Sequence, residues 1–232
     1  MGSGLLESQL AATRRNMWDE VAPSVPTGDI PDIVIRRLPI YVRTLRSLCE
    51  HEVSSASSEQ LAELIGVTAA QIRRDLSYFG KFGKQGKGYD TRLLADAIAN
   101  ILKLNRQWSV ALVGLGNLGR AIAHYRGFSP SSFTIAALFD RNPSQVGQTL
   151  GDLEIQPVHD LATTMRDEGI QIGIIATPKA YAQETADLMV AGGVQAILNY
   201  APVILKVPEN VTVREIDPVS ALQSMTYYID ES

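Results

Sequence analysis

The 232-residue chain is 45% hydrophobic and 20% charged with a net charge of −4, a balance that points to a packed globular protein and excludes a disordered or fibrous one. A single cysteine, Cys49, excludes an intrachain disulfide and a multi-cysteine metal site. No apolar run approaches the ~18 residues that would span a membrane, and the opening MGSGLLESQL lacks a basic segment followed by an apolar one. A reducing, cytoplasmic setting is therefore expected.

The charge is unevenly spread. Between Gln71 and Arg92 stand six basic residues (Arg73, Arg74, Lys81, Lys84, Lys87, Arg92) and two acidic ones (Asp75, Asp90), a local +4 in an acidic chain. Such asymmetry marks an electrostatic footprint for a polyanion. Residues 1–28, broken by Pro23, Pro26 and Gly28, read as a flexible N-terminal arm. From Ile33 to Cys49 apolar residues recur at helical spacing, and Pro39 is expected at a helix start or kink. Ser57-x-x-Gln60 then opens a helix that Gly66 closes, and Thr68-x-x-Gln71 opens another. Two short capped helices around a tight turn make a helix-turn-helix signal. The second helix turns Ile72, Leu76 and Phe79 inward and projects Gln71, Arg73, Arg74, Ser77 and Tyr78. Arginine and glutamine are the side chains that pair bidentately with guanine and adenine in the major groove. KFGKQGKGY follows, with glycines for a hairpin and Lys81, Lys84 and Lys87 along it, as in the wing of a winged helix.

Leu93 to Leu104 reads as an apolar-rich helix linking a winged-helix domain over 29–106 to a second domain, with the boundary near Asn105 to Gln107. Strands and helices then alternate through 107–216: strand 109–113, helix 117–126, strand 134–139, a loop region, helix 160–167, strand 172–176, helix 179–190, strand 196–200 and the strand VTVREI. Alternation of this kind implies a doubly wound parallel sheet. Its first turn, Gly114-Leu115-Gly116-Asn117-Leu118-Gly119, fits G-x-G-x-x-G after a strand and before a helix. The glycines allow a tight turn, approach of a pyrophosphate to the backbone, and close packing of helix on strand. Asp140 ends the next strand, 21 residues beyond Gly119. Its carboxylate suits ribose hydroxyls and repels a 2′-phosphate, whereas the adjacent Arg141 suits one; NAD(H) is expected over NADP(H). Thr177-Pro178 and Asn199-Tyr200-Ala201 end further strands and are expected on the nicotinamide side. Residues 217–232 carry an apolar stripe (Val219, Leu222, Met225 or Thr226, and Ile229) on a helix that packs on its own sheet or on a second subunit.

Chemistry for turnover is thin. His51, His124 and His159 stand in no recognisable catalytic motif, Lys179 is a weaker acid–base candidate, and little chain is left to build a substrate domain. The nucleotide therefore reads as a signal rather than a co-substrate, with no catalytic and no metal-ligating residues assigned. Two rivals stand beside this reading: a small NAD-dependent oxidoreductase with an accessory helix-turn-helix module, and a module that binds protein through its N-terminal half.

The ordered set RRLPIYVRTL, SSEQLAELIGVTAAQIRRDLSYFGKFGKQGKGY, VALVGLGNLGRAIAHYRGF, FDRNP, ILNYAPV and REID, running from about Ile33 to Ile229, resembles the Rex family of redox-sensing transcriptional repressors. The resemblance implies an α/β homodimer whose subunits each carry an N-terminal winged helix, a Rossmann domain binding NAD(H) and a C-terminal helix swapped onto the partner. Such a dimer occupies AT-rich inverted-repeat operators and is released by NADH, with NAD+ competing weakly. Operator contacts are expected from Arg37, Tyr41, Arg43, Ser58, Gln71, Arg73, Arg74, Ser77, Tyr78, Lys81, Lys84 and Lys87. The cofactor set is expected to be Gly114–Gly119, Tyr125, Asp140, Arg141, Thr177, Pro178, Asn199, Tyr200 and Ala201. By position, Tyr125 corresponds to the tyrosine that senses the nicotinamide, and Arg43 and Asp217 to the pair whose intersubunit contacts change in the switch.

Overall fold

A computed structural model of the chain describes residues 30–83, 88–125, 127–128 and 132–229. The arm 1–28 and wing residues Lys84 and Lys87 lie outside the described residues. The chain divides into two compact units between Leu104 and Asn105.

The first unit is helical with a small sheet. Helix α1 (Asp32–Glu50) buries Val34, Leu38, Tyr41, Val42 and Leu45 along one face. Pro39 was expected at a start or kink, yet the helix runs through it. Proline there costs about 3 kcal/mol; each large apolar side chain buried returns about 1.5–3 kcal/mol, and the stripe continues on both sides of it. Strand β1 (Ser55–Ala56) precedes α2 (Ser58–Ile65), whose capping box is complete: Gln60 N–H donates to Ser57 Oγ, and Ser57 N–H donates to Gln60 Oε1 at 2.8 Å. Gly66 closes α2 at φ 79°, a left-handed conformation that suits glycine. Helix α3 (Ala69–Ser77) has only half of the second box, because Gln71 N–H caps on Thr68 Oγ1 while the Gln71 side chain turns to Asp75. Ile72, Leu76 and Phe79 are buried as their spacing requires. Strand β2 (Tyr89–Asp90) pairs antiparallel with β1. Helix α4 (Thr91–Ile101), N-capped by Asp90, packs Leu94, Ala95 and Ile98 into the same core as α1.

The second unit is a seven-stranded sheet in the order β5-β6-β4-β3-β7-β8-β9. Its strands are β3 (Trp108–Val113), β4 (Phe133–Asp140), β5 (Thr149–Leu150), β6 (Leu153–Pro157), β7 (Ile172–Ile175), β8 (Ala196–Asn199) and β9 (Thr212–Glu215). All neighbours are parallel except the β5–β6 hairpin. That hairpin falls where a loop was expected. Its period-2 pattern, Leu153 and Ile155 against Glu154 and Gln156, spans too few residues to stand out in sequence. Helices α5 (Asn117–Ala123), α6 (Leu161–Asp167, after a 3₁₀ turn at Val158–Asp160) and α7 (Lys179–Ala191) make the crossovers. Alternate residues of β3 feed different cores, Ala111 and Val113 on one side of the sheet and Val110 and Leu112 on the other. Helices therefore cover both faces, as a parallel sheet demands. Chain order reverses between β3 and β7, which opens a crevice at their carboxyl ends. Helix α8 (Pro218–Thr226) closes the described chain: Asp217 Oδ1 accepts from Val219 N–H at 2.9 Å, Pro218 takes the first helical position, and no α8 residue is buried.

Candidate functional site: a glycine cradle and a helix-turn-helix

At the reversal of chain order the three glycines divide their tasks. Gly114 has φ 95°, and a Cβ there would stand 2.7 Å from Ala176 O; a Cβ on Gly119 would stand 1.8 Å from Gly114 O. Both positions are closed to any side chain. A Cβ on Gly116 would meet nothing within 4 Å, so the backbone there faces open space. Helix α5 is only seven residues long, so its dipole adds little and the backbone N–H groups of the turn are the anion-facing feature.

This turn forms one wall of a cavity of about 530 Å³, a volume usual for small-ligand sites. Gly114, Gly116, Asn117, Leu118, Asp140, Arg141, Thr177 and Pro178 line it, together with Asn142, Gln145, Tyr181, Glu184 and Thr185. Asp140 is nearly buried and holds the turn in place: Oδ2 accepts from Leu115 N–H at 2.6 Å and Oδ1 from Asn142 N–H at 2.7 Å. Each carboxylate oxygen keeps a second lone pair for a ribose hydroxyl. The Thr177 hydroxyl oxygen is buried and has no partner among the described residues, in a cavity wall where a ligand group can supply one.

In the first unit a carboxylate ties α3 to α1. Asp75 has no exposed surface, and four donors converge on it. Arg37 Nε and Tyr41 Oη each donate to Oδ2 at 2.6 Å; Arg37 Nη2 donates to Oδ1 at 2.8 Å and Gln71 Nε2 at 2.7 Å. Burial pushes the Asp75 carboxyl up, but hydrogen bonds from Arg37, Tyr41 and Gln71 together outweigh it and hold it below the ordinary aspartate value. The Tyr41 phenol is driven up, first by burial and then by the carboxylate it donates to. The outer face of α3 carries Arg73, Arg74 and Ser77, all exposed. Arg73 Nη1 donates to Ser58 Oγ at 2.6 Å and to Glu59 Oε1 at 2.9 Å.

Two family models match the chain, a putative DNA-binding protein N-terminus over residues 29–77 and a CoA binding domain over 105–203. A redox-sensing transcriptional repressor Rex from Chloroflexus aggregans is 55% identical over 199 residues, covering 86% of this chain and 94% of that protein. The chain belongs to the Rex family. The Rex of Streptomyces coelicolor is 42% identical, covering 89% of this chain and 80% of its own length. Among solved structures, the Rex-family repressor RSP in complex with β-NAD+ and operator DNA superposes with TM-score 0.82 at 40% identity, covering 87% of this chain and 93% of that one. RSP in complex with β-NADH gives TM-score 0.78 at 38% identity over the same share of this chain.

Several residues expected at the Rex-type sites have other tasks here. Arg37 and Tyr41 were expected at DNA; they are directed inward onto Asp75, and Tyr41 is 2% exposed. Ser58 is buried, its hydroxyl accepting from Arg73, and the amide of Gln71 is spent on Asp75. Asn199 does not line the cavity: it is 1% exposed, its Nδ2 donating to Ala201 O and Val203 O and its Oδ1 accepting from Ala201 N–H. It pins the turn after β8, and Tyr200 and Ala201 are likewise absent from the lining. Leu115 is fully buried and Gly119 packs on Gly114, so both support the turn from behind. Tyr125 is 63% exposed, outside the cavity, with its ring edge-on to Phe128. Arg43 and Lys81 are exposed and Tyr78 half-buried. Sequence reasoning missed Asn142, Gln145, Tyr181 and Glu184, which reach the cavity from the β4 turn and from α7. The spacing of Tyr181 and Glu184, three apart at the start of the helix after Thr177-Pro178, was the available signal.

Proposed function

We propose that this chain is an NADH-responsive repressor: a homodimer, acting in the cytoplasm, that holds operator DNA through α3 and the wing and lets go when NADH enters the cavity. The observation that carries the reading is the Gly116 cradle, open to a pyrophosphate and flanked by the Asp140 carboxylate, in the same chain as a capped helix-turn-helix with exposed arginines. Turnover has little to work with. Among the described residues lining the cavity there is no histidine, lysine or cysteine, Asp140 is held by backbone N–H groups, and Arg141 is paired with Glu184. We therefore assign no catalytic step. Reduced nicotinamide is neutral and oxidised nicotinamide is cationic, so an apolar enclosure favours the reduced ring. The ligand moves the DNA equilibrium only by its unequal affinity for two dimer arrangements.

The C-terminal helix supports the dimer. Val219, Leu222, Met225 and Ile229 are 58–70% exposed in the single chain, an uncovered stripe that a second subunit would bury. Arg43, Tyr125 and Asp217 are assigned to the switch; Arg43 and Tyr125 are exposed and Asp217 is half-buried, capping α8 with one oxygen.

The test is fluorescence anisotropy on a labelled AT-rich inverted-repeat duplex, titrated with NADH, NAD+ and NADPH. Tight binding without ligand, released by NADH at concentrations where NAD+ has little effect, is the expected result. Binding indifferent to all three overturns the sensor reading. Oxidation of NADH with a small carbonyl substrate overturns the non-catalytic one.

A further inference from the structure

The cavity wall carries a second acidic side chain that the reading above leaves without a task. Glu184 on α7 accepts from Arg141 Nη2 at 2.8 Å on each of its carboxylate oxygens. The Arg141 guanidinium carbon stands 4.5 Å from the centre of the Tyr181 ring, one helical turn before Glu184. Asp140, Arg141, Tyr181 and Glu184 all line the one cavity. An arginine beside the ribose-binding carboxylate is the side chain that ordinarily accommodates a 2′-phosphate. Here it lies against an aromatic face and its charge is answered by a carboxylate.

We propose that Glu184 is a specificity-determining residue that withholds Arg141 from a 2′-phosphate, so that the site selects NAD(H) over NADP(H) despite carrying the arginine. The proposal rests on the dinucleotide reading of the cavity. Two carboxylates and one guanidinium leave this wall with a net charge of −1. A phosphate ester brings about two further negative charges near neutral pH. To recruit Arg141 it must break the pair with Glu184 and leave that carboxylate beside it. Without Glu184, one carboxylate (Asp140) and one guanidinium (Arg141) would leave this wall with no net charge to set against a phosphate ester. Both partners of the pair are half exposed, so it contributes little to folding, and removing it reports on ligand choice.

The experiment is isothermal titration of the full chain with NADH and with NADPH, for wild type, Glu184→Gln and the double variant Glu184→Gln with Arg141→Ala. Glu184→Gln is expected to raise NADPH affinity relative to NADH about tenfold, or about 1.4 kcal/mol, with the melting temperature as in wild type. The gain is expected to shrink as salt is raised and to vanish in the double variant, which lacks the guanidinium. NADPH affinity relative to NADH unchanged in Glu184→Gln, with NADH still bound, overturns the proposal. So does a gain that survives Arg141→Ala. A wild-type chain that binds neither dinucleotide refutes instead the reading on which the proposal depends.

Discussion

Asp75→Asn tests whether the buried carboxylate holds the helix-turn-helix together. Four hydrogen bonds converge on Asp75, two of them from the Arg37 guanidinium, and its carboxylate has no exposed surface. Asparagine keeps one acceptor oxygen and turns an amino group toward donors that have nowhere else to point. The Arg37 side chain, 19% exposed, loses its counter-charge. Breaking a buried pair by removing one partner costs about 3–5 kcal/mol. For a unit of this size each kcal/mol shifts the midpoint by about 4–8 °C, so the first transition should fall by more than about 12 °C. Calorimetry gives the midpoint, and urea titration followed by circular dichroism gives the free energy, with an unchanged slope marking a pure stability effect. Operator affinity should fall with it, because α3 is docked on α1 through this residue, whereas NADH affinity should not. A stability loss under about 1 kcal/mol would refute the reasoning and leave Asp75 a bystander.

Further outcomes follow from the same geometry. Because the folded Asp75 carboxyl lies below its unfolded-chain value of about 3.9, its contribution is complete above that pH and is lost as the pH falls from it toward the folded value; acid titration of wild type against Asp75→Asn should converge below it. Gly119→Ala, whose Cβ would stand 1.8 Å from Gly114 O, should destabilise the second unit by about 1–3 kcal/mol or more. Gly116→Ala, whose Cβ meets nothing within 4 Å, should cost at most about 1 kcal/mol of stability while weakening NADH about tenfold. Arg73→Ala should cost about 1–3 kcal/mol if Arg73 reads a base, and Arg74→Ala, if it meets phosphate, should lower the salt slope of DNA binding by about one. An unchanged affinity and slope in both would remove α3 from the DNA contact.

Much of the fold was legible because it is written in local chemistry. The Ser57 and Thr68 caps, the Gly66 turn and the inward triad Ile72, Leu76 and Phe79 were each readable from spacing, and each has its expected place. The parallel sheet followed from alternating apolar strands and helices, and its chain reversal located the cavity. What sequence hid was long-range pairing. Nothing near Arg37 announces that its partner is Asp75, 38 residues on, so a half-buried, paired arginine looked like a surface cation. Asn199 sat at the right end of a strand and was still spent on its own turn. The two-residue strands β1 and β5 were too short to carry a period, and α5 stopped three residues before its expected end. Cavity residues that arrive from α7 were legible only once the sheet order had placed that helix over the glycine turn.

The uncovered C-terminal stripe also bears on how a subunit matures. With Val219, Leu222, Met225 and Ile229 exposed in the single chain, the proposed dimer makes burial of this stripe wait on an encounter, so that its final folding step is second order in protein. The melting temperature of such a chain rises with its concentration. A newly made subunit meanwhile presents an adhesive surface, and dilution alone becomes a way to loosen it.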